Sequence, residues 1–308
     1  MFDSKKIKEI REELGYSQVE FYDGIMSKVS YQKFEKNEKD VSIQQLQTIA
    51  QKLTMRPEEI LYRTDVTRLK SLPFWKQKLD LPSFLSSKEI FFEKLKELEN
   101  NKTKGFGYYN LYAAMLAMGV QKNFINSDYF SKKDIKALQT MYKKRRIFYS
   151  FDYEIVSNLV FLVNPEEINF LLENLFPVSE SNGTVFDFCV QECITNLISK
   201  YQHLENYSSA LIYINIFKSL RKIPDFNIDL SMNLEIVYLE QLTRFLETRD
   251  ISIFLKAVQT VEMFDQMGYV NTYNNLSNEL KSISERENFV YPNESTYAIQ
   301  PFSVNTEL

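Results

Sequence analysis

Turn-forming residues are scarce in this chain: seven Gly and eight Pro are spread over 308 residues. A fold of many short strands needs such punctuation every 8–12 residues or so. Long helices with short connections do not. Apolar residues recur at three- and four-residue steps along nearly the whole length, the period of a helix with one buried face. The expected fold class is therefore all-α. Apolar residues make up 44% of the chain, with 24 Phe and 19 Tyr, enough for a sizeable core.

The first 62 residues predict five short helices. In KKIKEIREELG, Ile7, Ile10 and Leu14 share a face and Gly15 offers a stop. Ser17 with Glu20 is a capping-box pattern that opens a second helix, and Gly24 breaks it. Ser27 can cap a third helix with Tyr31 and Phe34 inward. Ser42 with Gln45 opens a fourth, with Ile43, Leu46, Ile49 and Leu53 on one side. Pro57 suits the first turn of a fifth, PEEILY.

This order and spacing resemble the helix-turn-helix domain of the Xre/Cro repressors. The matching residues are Gln18 at the start of helix two, Met26 and Tyr31 as core positions, and Glu35 closing helix three. The segment FEKNEKDVS and the short turn at Gly24–Ile25 resemble the Rgg/GadR/MutR regulators of Gram-positive bacteria. Asn37 stands where a Gly is usual, and Asn tolerates the left-handed backbone such an exit needs. Arg56 replaces the usual Ser or Thr cap, and Tyr22 replaces a small residue.

In a helix-turn-helix the face opposite Tyr31 and Phe34 enters the major groove. Here it carries Lys28, Val29, Gln32, Lys33 and Lys36. Lys28 and Lys33 suit guanine or phosphate, Gln32 suits adenine and Val29 a thymine methyl. Gln18 is placed to meet a phosphate at a helix N-terminus, and Lys36 and Lys39 to contact the backbone. An exposed helix often carries lysines for solvation alone; the five-helix setting favours the DNA reading. The formal net charge of −4 excludes a uniformly basic coat but not a local patch. Glu35 and Glu38 keep the patch weakly basic, so a dimer on two half-sites is the expected form.

The segment 63–73 lacks an apolar stripe and reads as a linker or as the start of the next helix, with the boundary near residue 66. It divides an expected DNA-binding domain, 1–66, from a helical domain, 67–308. The latter predicts successive helices starting every 20 residues or so. Pairs of about 35–45 residues follow, the period of tetratricopeptide-like repeats. The alternative is a non-repetitive bundle.

A helical-repeat domain behind an Xre-type domain is the layout of the Rgg family. The resemblance implies a cytoplasmic, dimeric transcription regulator that binds a double-stranded operator and a short signalling peptide in a C-terminal groove. Asn158, Asn196 and Asn233, each on an amphipathic helix, are candidate partners for a peptide backbone. Arg221 and Arg244 are candidates for an acidic group or terminal carboxylate. A second reading gives the helical domain to a protein partner or to dimerisation alone.

Enzyme chemistry has no visible basis. The single His203 sits near a helix end, and no phosphate-binding loop or nucleophile elbow appears. Neither a cofactor nor a metal site is expected. Cys189 and Cys193 lie four apart in a helical pattern and read as core, which fits a reducing compartment. No signal peptide is apparent at the start, and no apolar run approaches the roughly 20 residues of a membrane span.

Overall fold

The computed structural model describes residues 4–55, 60, 80–143 and 145–292. Among them every regular element is a helix. The chain divides into two compact units, residues 1–94 and 95–308. The expected linker, the boundary near residue 66, Arg56 and all but Ile60 of the PEEILY helix lie outside the described residues.

The first unit contains α1 (Ser4–Glu13), α2 (Gln18–Tyr22), α3 (Lys28–Glu35) and α4 (Ile43–Lys52). Their starts follow from local chemistry. Ser17 and Ser42 each form a capping box, with Glu20 and Gln45, and the Ser27 hydroxyl accepts from Ser30 N. Each satisfies amides that the first helical turn leaves unpaired. Gly15 and Gly24 adopt φ of +77° and +73° after α1 and α2, a conformation that costs glycine little. Asn37 follows α3 at φ +61°, and its Oδ1 accepts from Ser4 N at 2.8 Å. The tolerance expected of Asn is thus used, and the side chain also ties α3 to α1.

Ile7, Ile10, Phe21, Tyr31, Phe34, Ile49, Ala50, Leu53 and Ile60 form the core, with Tyr22, Met26 and Leu46 packed against it. Two expected core residues stay outside. Leu14 is 50% exposed because α1 ends at Glu13, before its face is completed. Ile43 is 73% exposed at the first position of α4, on the edge of the stripe through Leu46, Ile49 and Leu53.

Farther along the chain come α5 (Lys88–Asn101), α6 (Phe106–Gln121), α7 (Lys132–Tyr142), α8 (Ser150–Leu159) and α9 (Asn169–Leu175). They are followed by α10 (Thr184–His203), α11 (Tyr207–Leu220), α12 (Leu230–Thr248), α13 (Ile251–Gln266) and α14 (Val270–Arg286). Helices α6, α8, α10 and α12 pack side by side as one layer. Chain neighbours α10–α11, α12–α13 and α13–α14 pack as pairs. Layered pairs of this kind match the repeat expectation rather than a non-repetitive bundle.

Buried polar side chains fix the spacing of the layer. Gln191 of α10 donates to Asn227 O at 3.0 Å and accepts from Asp229 N, holding the start of α12. Gln202 of the same helix donates to Leu239 O and to Thr243 Oγ1 on α12. Asp152 on α8 accepts from Tyr142 and Arg145, which anchors the connection from α7. Among the described residues, no helix is long and apolar enough to cross a membrane.

Candidate DNA-reading helix and ligand groove

Helix α3 is held from its inner side. The Tyr31 ring packs at 5.6 Å from Phe21, 5.9 Å from Tyr22 and 6.1 Å from Phe34. Glu35, at the end of α3, is buried and receives three donors: Tyr31 Oη at 2.8 Å, Arg11 Nε at 3.0 Å and Gln18 Nε2 at 2.6 Å. A buried carboxylate surrounded in this way is satisfied, and it joins α1, α2 and α3 at one point. Burial, followed by the nearby Glu35 carboxylate, pushes the Tyr31 hydroxyl well above its ordinary range, so it stays a donor.

The opposite face of α3 is free of the core. Lys28, Val29, Gln32, Lys33 and Lys36 are all exposed. Val29 stands 63% exposed, an apolar group at the centre of a polar face. Lys39 is exposed in the exit loop and donates to Ser30 Oγ at 2.9 Å. Six of the seven expected DNA-facing residues are thus accessible. Gln18 is the exception: its amide is engaged by Glu35, so it joins α2 to α3 instead of standing free.

In the second unit, α8 and α10 each present a row of solvent-accessible side chains. On α8 the row includes Glu154 and Asn158, and Phe161 is exposed just past the end of the helix. Asn110 Nδ2, from α6, donates to Glu154 Oε2 at 2.8 Å, and Asn158 Nδ2 donates to Asn110 Oδ1 at 3.2 Å. On α10, a helix otherwise largely buried, Phe188, Glu192, Asn196, Ser199 and His203 fall at steps of three and four. The last two line a cavity of about 540 Å³ together with Gln202, Leu242, Leu246, Glu279 and Arg286, from α10, α12 and α14.

Three glutamates from α10, α12 and α14 lie close enough to influence one another. Burial, and then the neighbouring Glu279 and Glu192, push Glu235 on α12 up to about 7. Glu279 is also raised by burial, although part of it reaches solvent and Tyr238 Oη donates to its Oε2 at 2.7 Å. None of these glutamates stands out as a candidate in the sequence. The sequence gives little signal for them: Glu192 and Glu235 interrupt apolar stretches of α10 and α12, while Glu279 lies in the polar run SNELKS of α14.

The five expected peptide contacts separate into two groups. Asn158 and Asn196 lie on the accessible rows of α8 and α10. Asn233 and Arg244 lie on the α12 face opposite Glu235 and Leu242, toward α11. There Asn233 Oδ1 accepts from Arg221 at 2.9 Å, and Arg244 pairs with Glu240 at 3.0 Å. Cys189 and Cys193 are buried and unbridged, and burial raises the Cys193 thiol well above its ordinary range. No group of His, Cys, Asp and Glu among the described residues is arranged to hold a metal ion.

Two family profiles match the chain. Residues 7–60 match a helix-turn-helix family, and residues 95–283 match the C-terminal TPR region of the pheromone cCF10 receptor. Among solved structures, the PrgX/iCF10 complex is similar with a TM-score of 0.85 and 30% identity, over 95% of this chain and 99% of that one. The PrgX/cCF10 complex is similar at 0.84 and 30% identity, over 95% of each chain. The SHP pheromone receptor Rgg2 of Streptococcus dysgalactiae shares the fold, with a TM-score of 0.67 and 12% identity over 91% of this chain and 98% of that one. No curated protein sequence matches significantly.

Proposed function

The chain belongs to the PrgX-like pheromone receptors, helix-turn-helix regulators with a C-terminal TPR region, and we propose that it is a peptide-controlled transcription regulator acting as a dimer in the cytoplasm. Helix α3 reads the major groove through Lys28, Val29, Gln32 and Lys33, while Lys36 and Lys39 meet phosphates. The observation that carries this reading is the division of α3 into two faces. Tyr31, Phe34 and Glu35 are locked inside, while Lys28, Val29, Gln32 and Lys33 are exposed with donor groups and one apolar side chain.

The TPR-like unit takes the signalling peptide. An extended peptide buried along stacked helices needs partners for its backbone, since each unpaired amide costs about 1–3 kcal/mol. Asn158 and Asn196, accessible on α8 and α10, are the candidates to supply them. The similar PrgX chains are described in complexes with the peptides iCF10 and cCF10, which supports a peptide as the ligand class here. A weakly basic reading head binds one half-site poorly, and pairing two chains is the physical remedy.

Selection of duplexes from a random pool by the full chain, followed by sedimentation of the complex, tests the DNA part. Two chains on a duplex with two half-sites, about one helical turn or a multiple apart, are expected. One chain per duplex, or no enriched sequence, contradicts it.

A further inference from the structure

The turn that sets the direction of α3 is fastened by side chains from another helix. Helix α2 ends at Tyr22, Asp23 leaves the helical region with ψ of 130°, and Gly24 takes φ +73°. Tyr22 O accepts from Ile25 N and Met26 N. Two other carbonyls at this end, Glu20 O and Asp23 O, accept from Lys52 Nζ at 2.8 and 2.5 Å. On the far side of the glycine, Ile25 O accepts from Gln45 Nε2 at 3.4 Å. Gln45 and Lys52 are two turns apart on α4, so they share one face.

The terminal carbonyls of a helix are satisfied by cations and donors near its C-terminus, which also meet the favourable end of its dipole. Lys52 does this for α2 from outside the helix. It therefore ties the α2–α3 turn to α4, whose own place is set by the buried Ile49, Ala50 and Leu53. Its ammonium is spent on two carbonyls, not presented with the lysines of α3.

We infer that Lys52, with Gln45, is a positioning residue for sequence reading: it fixes the angle at which α3 meets a base pair and touches no DNA. This rests on the reading of α3 as the recognition helix. A small error in that angle displaces every base contact together. Phosphate contacts, which tolerate sliding, are affected less.

The test uses the full chain, a duplex enriched by the parent protein from a random pool, and a scrambled duplex of the same composition. Affinity for both is measured over a salt series for the parent, Lys52→Met, Lys52→Arg and Gln45→Glu. Gln45→Glu keeps the acceptor for Ser42 N in the capping box and loses the donor to Ile25 O. Lys52→Met and Gln45→Glu are expected to lower the ratio of enriched to scrambled affinity about tenfold, with the salt slope on scrambled DNA unchanged. Lys52→Arg is expected to restore most of the ratio. A loss of folded protein alone lowers both affinities together and leaves the ratio intact. An unchanged ratio overturns the inference, as does a salt slope that drops by about one unit in Lys52→Met, the mark of a direct phosphate contact. If Lys52→Met fails to fold, Gln45→Glu decides by the same criteria. A parent that enriches no sequence overturns the recognition-helix reading itself, and the inference with it.

Discussion

Arg11 and Glu35 form an ion pair inside the first unit, Nε to Oε1 at 3.0 Å, with side-chain exposures of only 5% and 6%. Arg11 also donates to Tyr16 O, and Glu35 also accepts from Tyr31 and Gln18. The pair therefore connects the helix that carries the reading face to the two before it.

Glu35→Ala leaves the buried Arg11 guanidinium with only the exposed Glu12 carboxylate, at 3.0 Å. Removal of one member of a buried pair costs about 3–5 kcal/mol. Amide hydrogen exchange across residues 4–55 is the measurement, and a loss of protection in α1 to α3 is expected. Unchanged protection contradicts a structural role for the pair.

Lys33→Ala is expected to weaken binding to the preferred duplex by about 1–3 kcal/mol through loss of a base contact. Lys39→Ala weakens all DNA alike and lowers the salt slope by roughly one unit. Gel shifts over a salt series separate the two. Unchanged affinity in both folded variants removes the recognition face.

Glu235 holds its proton more tightly in the fold than in the unfolded chain, at about 7 against an ordinary 4.5. Its contribution to stability is complete below the ordinary value and is lost as pH rises through about 7. The second unit is thus less stable at pH 8 than at pH 5 through this group. Glu235→Gln is expected to flatten that dependence and to gain about 1–2 kcal/mol at pH 8, allowing for partial solvent access. Urea midpoints at the two pH values measure it, and equal slopes for parent and variant contradict it.

Much of the first unit was readable because its determinants are local. Ser17, Ser27 and Ser42 announce helix starts through bonds within three residues, and Asn37 announces a left-handed exit. Tyr31 and Phe34 face inward as their spacing requires. What escaped the sequence depends on neighbours distant in the chain. Gln18 looks like a phosphate contact until Glu35, 17 residues on, takes its amide. Asn233 and Arg244 read as groove residues because helical period alone does not say which of two polar faces of α12 meets the layer. Glu235 carries no sequence signal of its raised proton affinity, which comes from burial and from Glu279 and Glu192, distant in the chain.

Asn158→Ala and Asn196→Ala are expected to lower peptide affinity tenfold or more, with helical content and basal DNA binding intact. Asn233→Ala, bound to Arg221 on the other face of α12, is expected to have less effect. Calorimetry with a peptide recovered on the protein from spent medium measures all three. Parent-like binding by Asn158→Ala and Asn196→Ala places the peptide elsewhere and favours a protein partner for the groove.

Control by a small secreted peptide requires that its binding alter where or how tightly α3 holds DNA. A genomic binding map of the full chain, in cells given fresh medium, spent medium or protease-digested spent medium, tests it most directly. A few discrete sites sharing a pseudo-palindromic sequence are expected, with occupancy that changes in spent medium and not after digestion. Discrete sites with the same occupancy in all three media would contradict control by a peptide, and no discrete sites would contradict sequence-specific regulation altogether.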